Sequence, residues 1–320
     1  MAATSSLSSF NRIAIGSPRK ICREIIPWFD FLGNSKYNKF NEKRKRQQGG
    51  APMLYQAKNC KVKIGNTSMS YAVFGTGKKN LIMIPGLGDG LRTDRKLAAF
   101  YALLYGKLAK EYTVYVFSQK NVMPDRYSTR KMAKDMKEAM DILGIQKAYV
   151  VGVSLGGMIS QHLASDYPEC VEKLVLVVTS SKKNQYSQSC ISGWIEMAKR
   201  GDYRKLMMDT LKKMYTKEYL EKNKVLVNLA GKVGKPKSYE RFITMAYACL
   251  CHDAYEKLEK IQAKTLVIGG ALDRTLGSKA SVEIVEKIPN AELKMYEQYG
   301  HALYDEAKDF TDVVLQFFRK

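Results

Sequence analysis

From about residue 58 onward the apolar positions switch between two spacings, and the switching predicts the elements. Lys61 to Ile64 and Met69 to Phe74 read as paired strands with Gly65-Asn66 near their turn. Asn80 to Ile84 is an apolar strand that runs into Pro85-Gly86-Leu87-Gly88-Asp89-Gly90. Leu97 to Leu108 reads as a helix and Thr113 to Phe117 as a strand. Thr129 to Leu143 is an amphipathic helix with Thr129 as the expected N-cap. Ala148 to Val153 is strand, Leu155 to Ser165 helix and Lys173 to Val178 strand. Near Ser180 the alternation stops. Helical runs follow at Ile195 to Lys199, Tyr203 to Tyr215 and Tyr239 to Leu250, with no convincing strand among them. Lys264 to Ile268 and Glu292 to Tyr296 resume the strands, and Phe310 to Phe318 closes with a helix.

Strands that are apolar nearly throughout and alternate with helices predict an α/β fold. Its mostly parallel central sheet would be buried by helices on both faces. The helical stretch at 184–258 then reads as an inserted cap, and the core comprises 58–183 and 259–320. Residues 1–57 read as a basic N-terminal extension expected to be flexible.

Composition narrows the class. Hydrophobic residues at 45% and charged residues at 26% exclude a mainly disordered or collagen-like chain. No run of 18 apolar residues occurs, so a soluble chain is expected, cytoplasmic unless residues 1–23 serve as a transit peptide. That segment is Ser-rich, free of acids and carries Arg12, Arg19 and Arg23. Further on, Ile25 to Phe29 is a short apolar segment and Lys43 to Arg46 a basic run before Gly49-Gly50.

The net charge of +22 is the unusual number. Residues 1–50 hold ten basic and three acidic side chains, or +7, and the remaining chain carries +15. Such a field favours anionic partners. With no zinc finger, RNA-recognition signature or basic zipper, no specific nucleic acid is expected. A weak contact of residues 1–50 with anionic membranes stays open. The six cysteines are sparse and read as reduced thiols, and Cys249-Leu250-Cys251-His252 lacks the second ligand cluster that zinc would want.

The chemistry concentrates at Gly152-Val153-Ser154-Leu155-Gly156-Gly157, a G-x-S-x-G placed between a buried strand and a helix. A sharp turn there would lift the Ser154 hydroxyl above the sheet edge, and the helix N-terminus would favour negative charge beside it. Serine needs a base and an orienting acid. Of three histidines, His162 lies within the helix after Ser154 and reads as packing. His252 sits beside Asp253 and is expected to make a local hydrogen bond, whereas His301 follows the last strand in a loop. His301 is the candidate base. Asp273, just past the strand ending at Ile268, is the candidate acid, since Thr179 to Lys183 contain no carboxylate. A plain turn-forming Asp is the alternative at 273.

The chain order Ser154, Asp273, His301 is that of the α/β-hydrolases, and over about residues 60–320 the sequence resembles that family. The resemblance implies a serine hydrolase acting on a small acyl substrate without metal or organic cofactor. It further implies that the Leu87 and Leu155 amides form an oxyanion hole. Many relatives begin that loop with His-Gly; here it is Pro85-Gly86. The dinucleotide and phosphate-loop patterns fail at Leu91 and Lys79 respectively, and a serine at the elbow disfavours dehalogenase or epoxide hydrolase chemistry. The cap's Met197, Met207, Met208, Met214, Tyr215, Tyr219, Met245 and Tyr247 read mainly as core, with Met also suited to an acyl site. Two alternatives to a carboxylic esterase are a catalytically silent receptor on the same fold and a membrane- or nucleic-acid-associated protein acting through its basic surface.

Overall fold

Strands β1 (Lys58–Ile64), β2 (Thr67–Phe74), β3 (Lys79–Ile84) and β4 (Tyr112–Lys120) open the sheet. Strands β5 (Ala148–Val153), β6 (Val171–Val177), β7 (Lys264–Gly270) and β8 (Ala291–Tyr296) complete it. The computed structural model describes residues 54–91 and 97–320. The predicted transit-like start, the Ile25 to Phe29 segment and the Lys43 to Arg46 run lie outside the described residues. In space the strands run β1-β2-β4-β3-β5-β6-β7-β8. Only the first two ladders are antiparallel; the rest are parallel.

Consecutive strand residues feed opposite layers, as the two-residue period requires. Ile82, Ile84, Val150, Leu174 and Leu176 enter one apolar core. Leu81, Met83, Val151, Val175 and Val177 enter the other. Both faces of the central strands are therefore covered, which explains why β3, β5 and β6 lack polar alternation, while the edge strands β1 and β8 keep exposed polar positions.

Helices supply the covers. They are α1 (Ala98–Leu104), α2 (Gly106–Ala109), α3 (Thr129–Ile142), α4 (Leu155–Asp166), α5 (Gln185–Lys199) and α6 (Tyr203–Met214). After them come α7 (Lys217–Lys222), α8 (Lys224–Ala230), α9 (Glu240–Leu250), α10 (Lys279–Lys287), α11 (Leu303–Glu306) and α12 (Phe310–Arg319). Met132, Met136 and Met140 of α3 recur every fourth residue and pack into the first core. Phe310, Val314, Phe317 and Phe318 of α12 do the same in the second.

Two local expectations are corrected. The N-cap of α3 is Ser128, whose side chain accepts from the Lys131 amide; Thr129 is the first helical residue and is buried. The helix expected from Leu97 to Leu108 is interrupted at Tyr105, and α2 starts afresh at Gly106.

Between β6 and β7 the chain forms only helices, α5 to α9. The stems of this excursion touch: the Ala254 amide donates to the Ser181 carbonyl at 2.8 Å, and Lys182 and Asp253 form a single antiparallel bridge. Among the described residues, no helix is long and apolar enough to cross a membrane.

Candidate active site

The loops after β3, β5, β7 and β8 gather at the carboxyl ends of the parallel strands. There β4 and β5 lie on opposite sides of β3, so the chain's winding reverses. Crevices of α/β sheets form at such reversals. Ser154 occupies the turn from β5 into α4, at φ 54° and ψ −114°. A serine in this region is strained, and strain persists only where surroundings hold it. Here the holding groups are visible. The Ser154 amide donates to the Val177 carbonyl at 2.9 Å, and the Thr179 hydroxyl donates to the Ser154 carbonyl at 2.7 Å. Gly156 lets α4 sit directly on the neighbouring strand: a Cβ there would stand 1.9 Å from the Ile84 carbonyl oxygen.

His301 comes from the loop after β8. Its Nε2 lies 3.0 Å from Ser154 Oγ and its Nδ1 lies 2.8 Å from Asp273 Oδ2. His301 and Asp273 are both buried. The other carboxylate oxygen of Asp273 accepts from the Thr275 amide at 2.7 Å and the Leu276 amide at 3.0 Å. Asp273 therefore forms a local turn and faces the imidazole, so the turn-forming alternative and the acid expectation describe two oxygens of one group. Burial alone would push its carboxyl up. The attraction of His301, their hydrogen bond, and the Leu276 and Thr275 amides outweigh burial, and the group sits below the ordinary carboxylate range. An ionised carboxylate only accepts, so Nδ1 of His301 must donate to it. Nε2 is then left to accept from the Ser154 hydroxyl.

Leu155 is the first residue of α4, and Leu87 opens a short 3-10 turn at Leu87–Gly90. Among the described residues no backbone carbonyl accepts from either amide. The Pro85-Gly86 loop runs against the elbow, since a Cβ on Gly86 would lie 3.3 Å from Ser154 Cβ. The site thus has a hydroxyl, an imidazole, a carboxylate and, among the described residues, two amides that no backbone carbonyl accepts from.

A cavity of about 210 Å³ opens over Ser154 and His301, walled by Leu87, Trp194, Met207, Met214, Tyr215 and Phe242 among others. Met207, Met214 and Tyr215 therefore line a pocket, whereas Met245 is wholly buried and Tyr247 exposed. Three polar ends of the wall are occupied. Trp194 Nε1 donates to Asp209, the Tyr203 hydroxyl to the Val233 carbonyl and the Tyr215 hydroxyl to Asp305.

The other histidines lie elsewhere. His162 is a packing residue, edge-to-face with His252 at 5.2 Å. His252 does not bond locally as expected. Its Nδ1 lies 2.9 Å from the hydroxyl of Thr129, 123 residues away, because the excursion's stem returns beside α3. Sequence reasoning also missed Thr179 and Arg241; an arginine at the start of a largely apolar helical run was the available signal for the latter.

Residues 79–308 match the model of the α/β hydrolase fold family. The chain belongs to that family. Among relatives of this α/β hydrolase is a Caulobacter segnis protein provisionally named carbamate hydrolase RutD, 25% identical over 77% of this chain and 95% of its own. Another is the 2-hydroxy-6-oxononadienedioate/2-hydroxy-6-oxononatrienedioate hydrolase of Burkholderia vietnamiensis, 28% identical over 77% of this chain and 89% of its own. In fold the chain is similar to an enol-lactonase from Burkholderia xenovorans. That match has a TM-score of 0.70 and 20% identity, and covers 82% of this chain and all of the other.

Proposed function

We propose that this α/β hydrolase is a serine hydrolase that cleaves an uncharged, largely apolar carboxylic ester through an acyl-enzyme on Ser154. The observation that carries this reading is the unbroken relay from the Asp273 carboxylate through His301 to the Ser154 hydroxyl. His301 takes the hydroxyl proton as Ser154 Oγ attacks the carbonyl carbon, then returns it to the departing alcohol. Asp273 holds the tautomer and offsets the imidazolium charge. The Leu87 and Leu155 amides receive the oxyanion, each contributing on the order of 10²–10³ in rate. Water activated by His301 then releases the acid.

Two features support an apolar substrate. The described walls of the cavity carry no Lys or Arg despite the basic chain. The polar ends of Trp194, Tyr203 and Tyr215 are bonded to other protein groups. The relatives are named for carbamates and dienedioates, and the fold neighbour for an enol-lactone. Carbamates, dienedioates and lactones all contain a carbonyl, and we assign the choice among bonds to the helical cap and its cavity.

A fluorophosphonate probe tests the mechanism, with labelling expected on Ser154 and lost in Ser154→Ala. Intact protein that never labels and turns over no ester would instead support a silent receptor. A p-nitrophenyl ester series beside a matched carbamate would rank the bonds.

A further inference from the structure

Buried Asp89 and half-buried Arg241 form a polar centre that the proposed reaction does not use. Asp89 lies in the turn Leu87–Gly90, two residues past the proposed oxyanion donor, and its side chain is 1% exposed. Its Oδ1 accepts from the Ser118 hydroxyl at 2.5 Å, and its Oδ2 accepts from the Gln119 amide at 3.0 Å and from Arg241 Nη2 at 2.5 Å. Arg241 belongs to α9, within the helical excursion. Its Nε donates to the Asp89 carbonyl at 3.1 Å, Nη2 to the Gln119 carbonyl at 3.0 Å, and Nη1 to the Lys120 carbonyl. One guanidinium thus grips both the backbone and the side chain of the turn and fastens them to the end of β4. The packing is equally close: a Cβ on Gly90 would stand 2.7 Å from Phe242 Cα.

We propose that Arg241 is a positioning residue, holding the Leu87–Gly90 turn so that the Leu87 amide faces Ser154 and making turnover depend on how α9 is seated. The inference rests on the reading of Leu87 as an oxyanion donor. A buried ion pair adds little to stability compared with apolar groups of the same shape, but its fork geometry fixes one arrangement. A 3-10 turn of four residues has little rigidity of its own. Without the clamp the turn can rotate its amides while the Asp273, His301 and Ser154 contacts stay as they are.

The test compares full-length wild type with Arg241→Met, Arg241→Lys and Asp89→Asn. Four quantities are measured: kcat and KM on the best p-nitrophenyl ester, fluorophosphonate labelling rate, melting temperature, and amide hydrogen exchange across residues 86–91. In Arg241→Met, kcat should fall by roughly 10- to 100-fold, short of losing a donor outright, with KM shifting less than about threefold. Labelling should slow in step, and exchange at the turn should quicken by about tenfold. The pH dependence of kcat should not move, because the His301 contacts are untouched. Arg241→Lys keeps the charge but not the fork and should fall between; if Arg241→Met does not fold, it and Asp89→Asn carry the test.

A lower melting temperature with wild-type kcat and wild-type exchange would make the pair a structural brace and overturn the proposal. If wild type neither labels nor hydrolyses any ester, the serine-hydrolase reading fails on its own. The exchange measurement still decides whether Arg241 sets the turn, and unchanged exchange overturns it.

Discussion

Nε2 of His301 lies 3.0 Å from Oγ of Ser154 across 147 residues of chain. The loop carrying the imidazole is tied on two sides. The Leu272 amide donates to the Tyr299 carbonyl at 3.0 Å, joining it to the Asp273 loop. The Ala302 amide donates to the Met214 carbonyl at 3.0 Å, joining it to the end of α6. The imidazole is thus held by the sheet and the helical excursion together.

From this contact follows a graded loss of activity. Ser154→Ala should lower kcat by roughly 10⁶ and abolish fluorophosphonate labelling. Asp273→Asn should cost about 10⁴, because an amide cannot hold the same tautomer. Steady-state kinetics on one ester, with circular dichroism to verify folding, checks both. Comparable activity in Asp273→Asn and wild type would contradict the relay.

The elbow should not tolerate a methyl group. Ala at 156 would press its Cβ onto the Ile84 carbonyl and within 2.8 Å of the Pro85 carbonyl. Backbone cannot yield as a side chain can, so Gly156→Ala should destabilise by about 3 kcal/mol or more, at or beyond the upper end of overpacking costs. Urea unfolding would measure it, and a loss under 1 kcal/mol would mean that α4 can lift from β3.

Stability should fall on mild acidification through the His162 and His252 pair. Burial lowers His162 to about 4; burial and then the neighbouring His162 lower His252 to about 3. The unfolded chain takes up these protons near pH 6.5, before the folded one does. The stabilisation is therefore complete above pH 6.5 and is lost as pH falls from there towards 4 and 3. Within that window each histidine should remove on the order of 1 kcal/mol per pH unit. Urea midpoints between pH 7 and 4.5 should drop more steeply in wild type than in His162→Gln; equal slopes would refute the assignment.

Cavity size should set chain-length preference. Each methylene the pocket buries adds about 0.8 kcal/mol, or close to fourfold in kcat/KM, until the space is filled. Met207→Ala should move the optimum of a p-nitrophenyl ester series two to three carbons longer. It should also cost about 2–5 kcal/mol of stability, since Met207 is buried. An unmoved optimum would place the acyl chain elsewhere.

Much of the site was legible before the fold. Ser154, Asp273 and His301 stand at strand ends that hydrophobic periodicity marks out, and the loop after β6 holds no competing carboxylate. The misread positions were those whose local signals compete. Thr129 and Ser128 both suit an N-cap, and burial beside His252 decided between them. Asp253 lies next to His252 in sequence, but Thr129 receives the ring because the stem packs on α3.

The sequence by itself determined the α/β class, the order of its elements and the three side chains of the proposed relay, because these follow from short-range periodicity, turn chemistry and chain order. Only the tertiary structure decided which residues of the helical excursion wall the cavity, that Arg241 reaches Asp89 across 152 positions, and that His252 turns to Thr129. Those partners are chosen by which helix faces meet once the sheet is covered, and a residue's own neighbours in the chain carry no record of that choice.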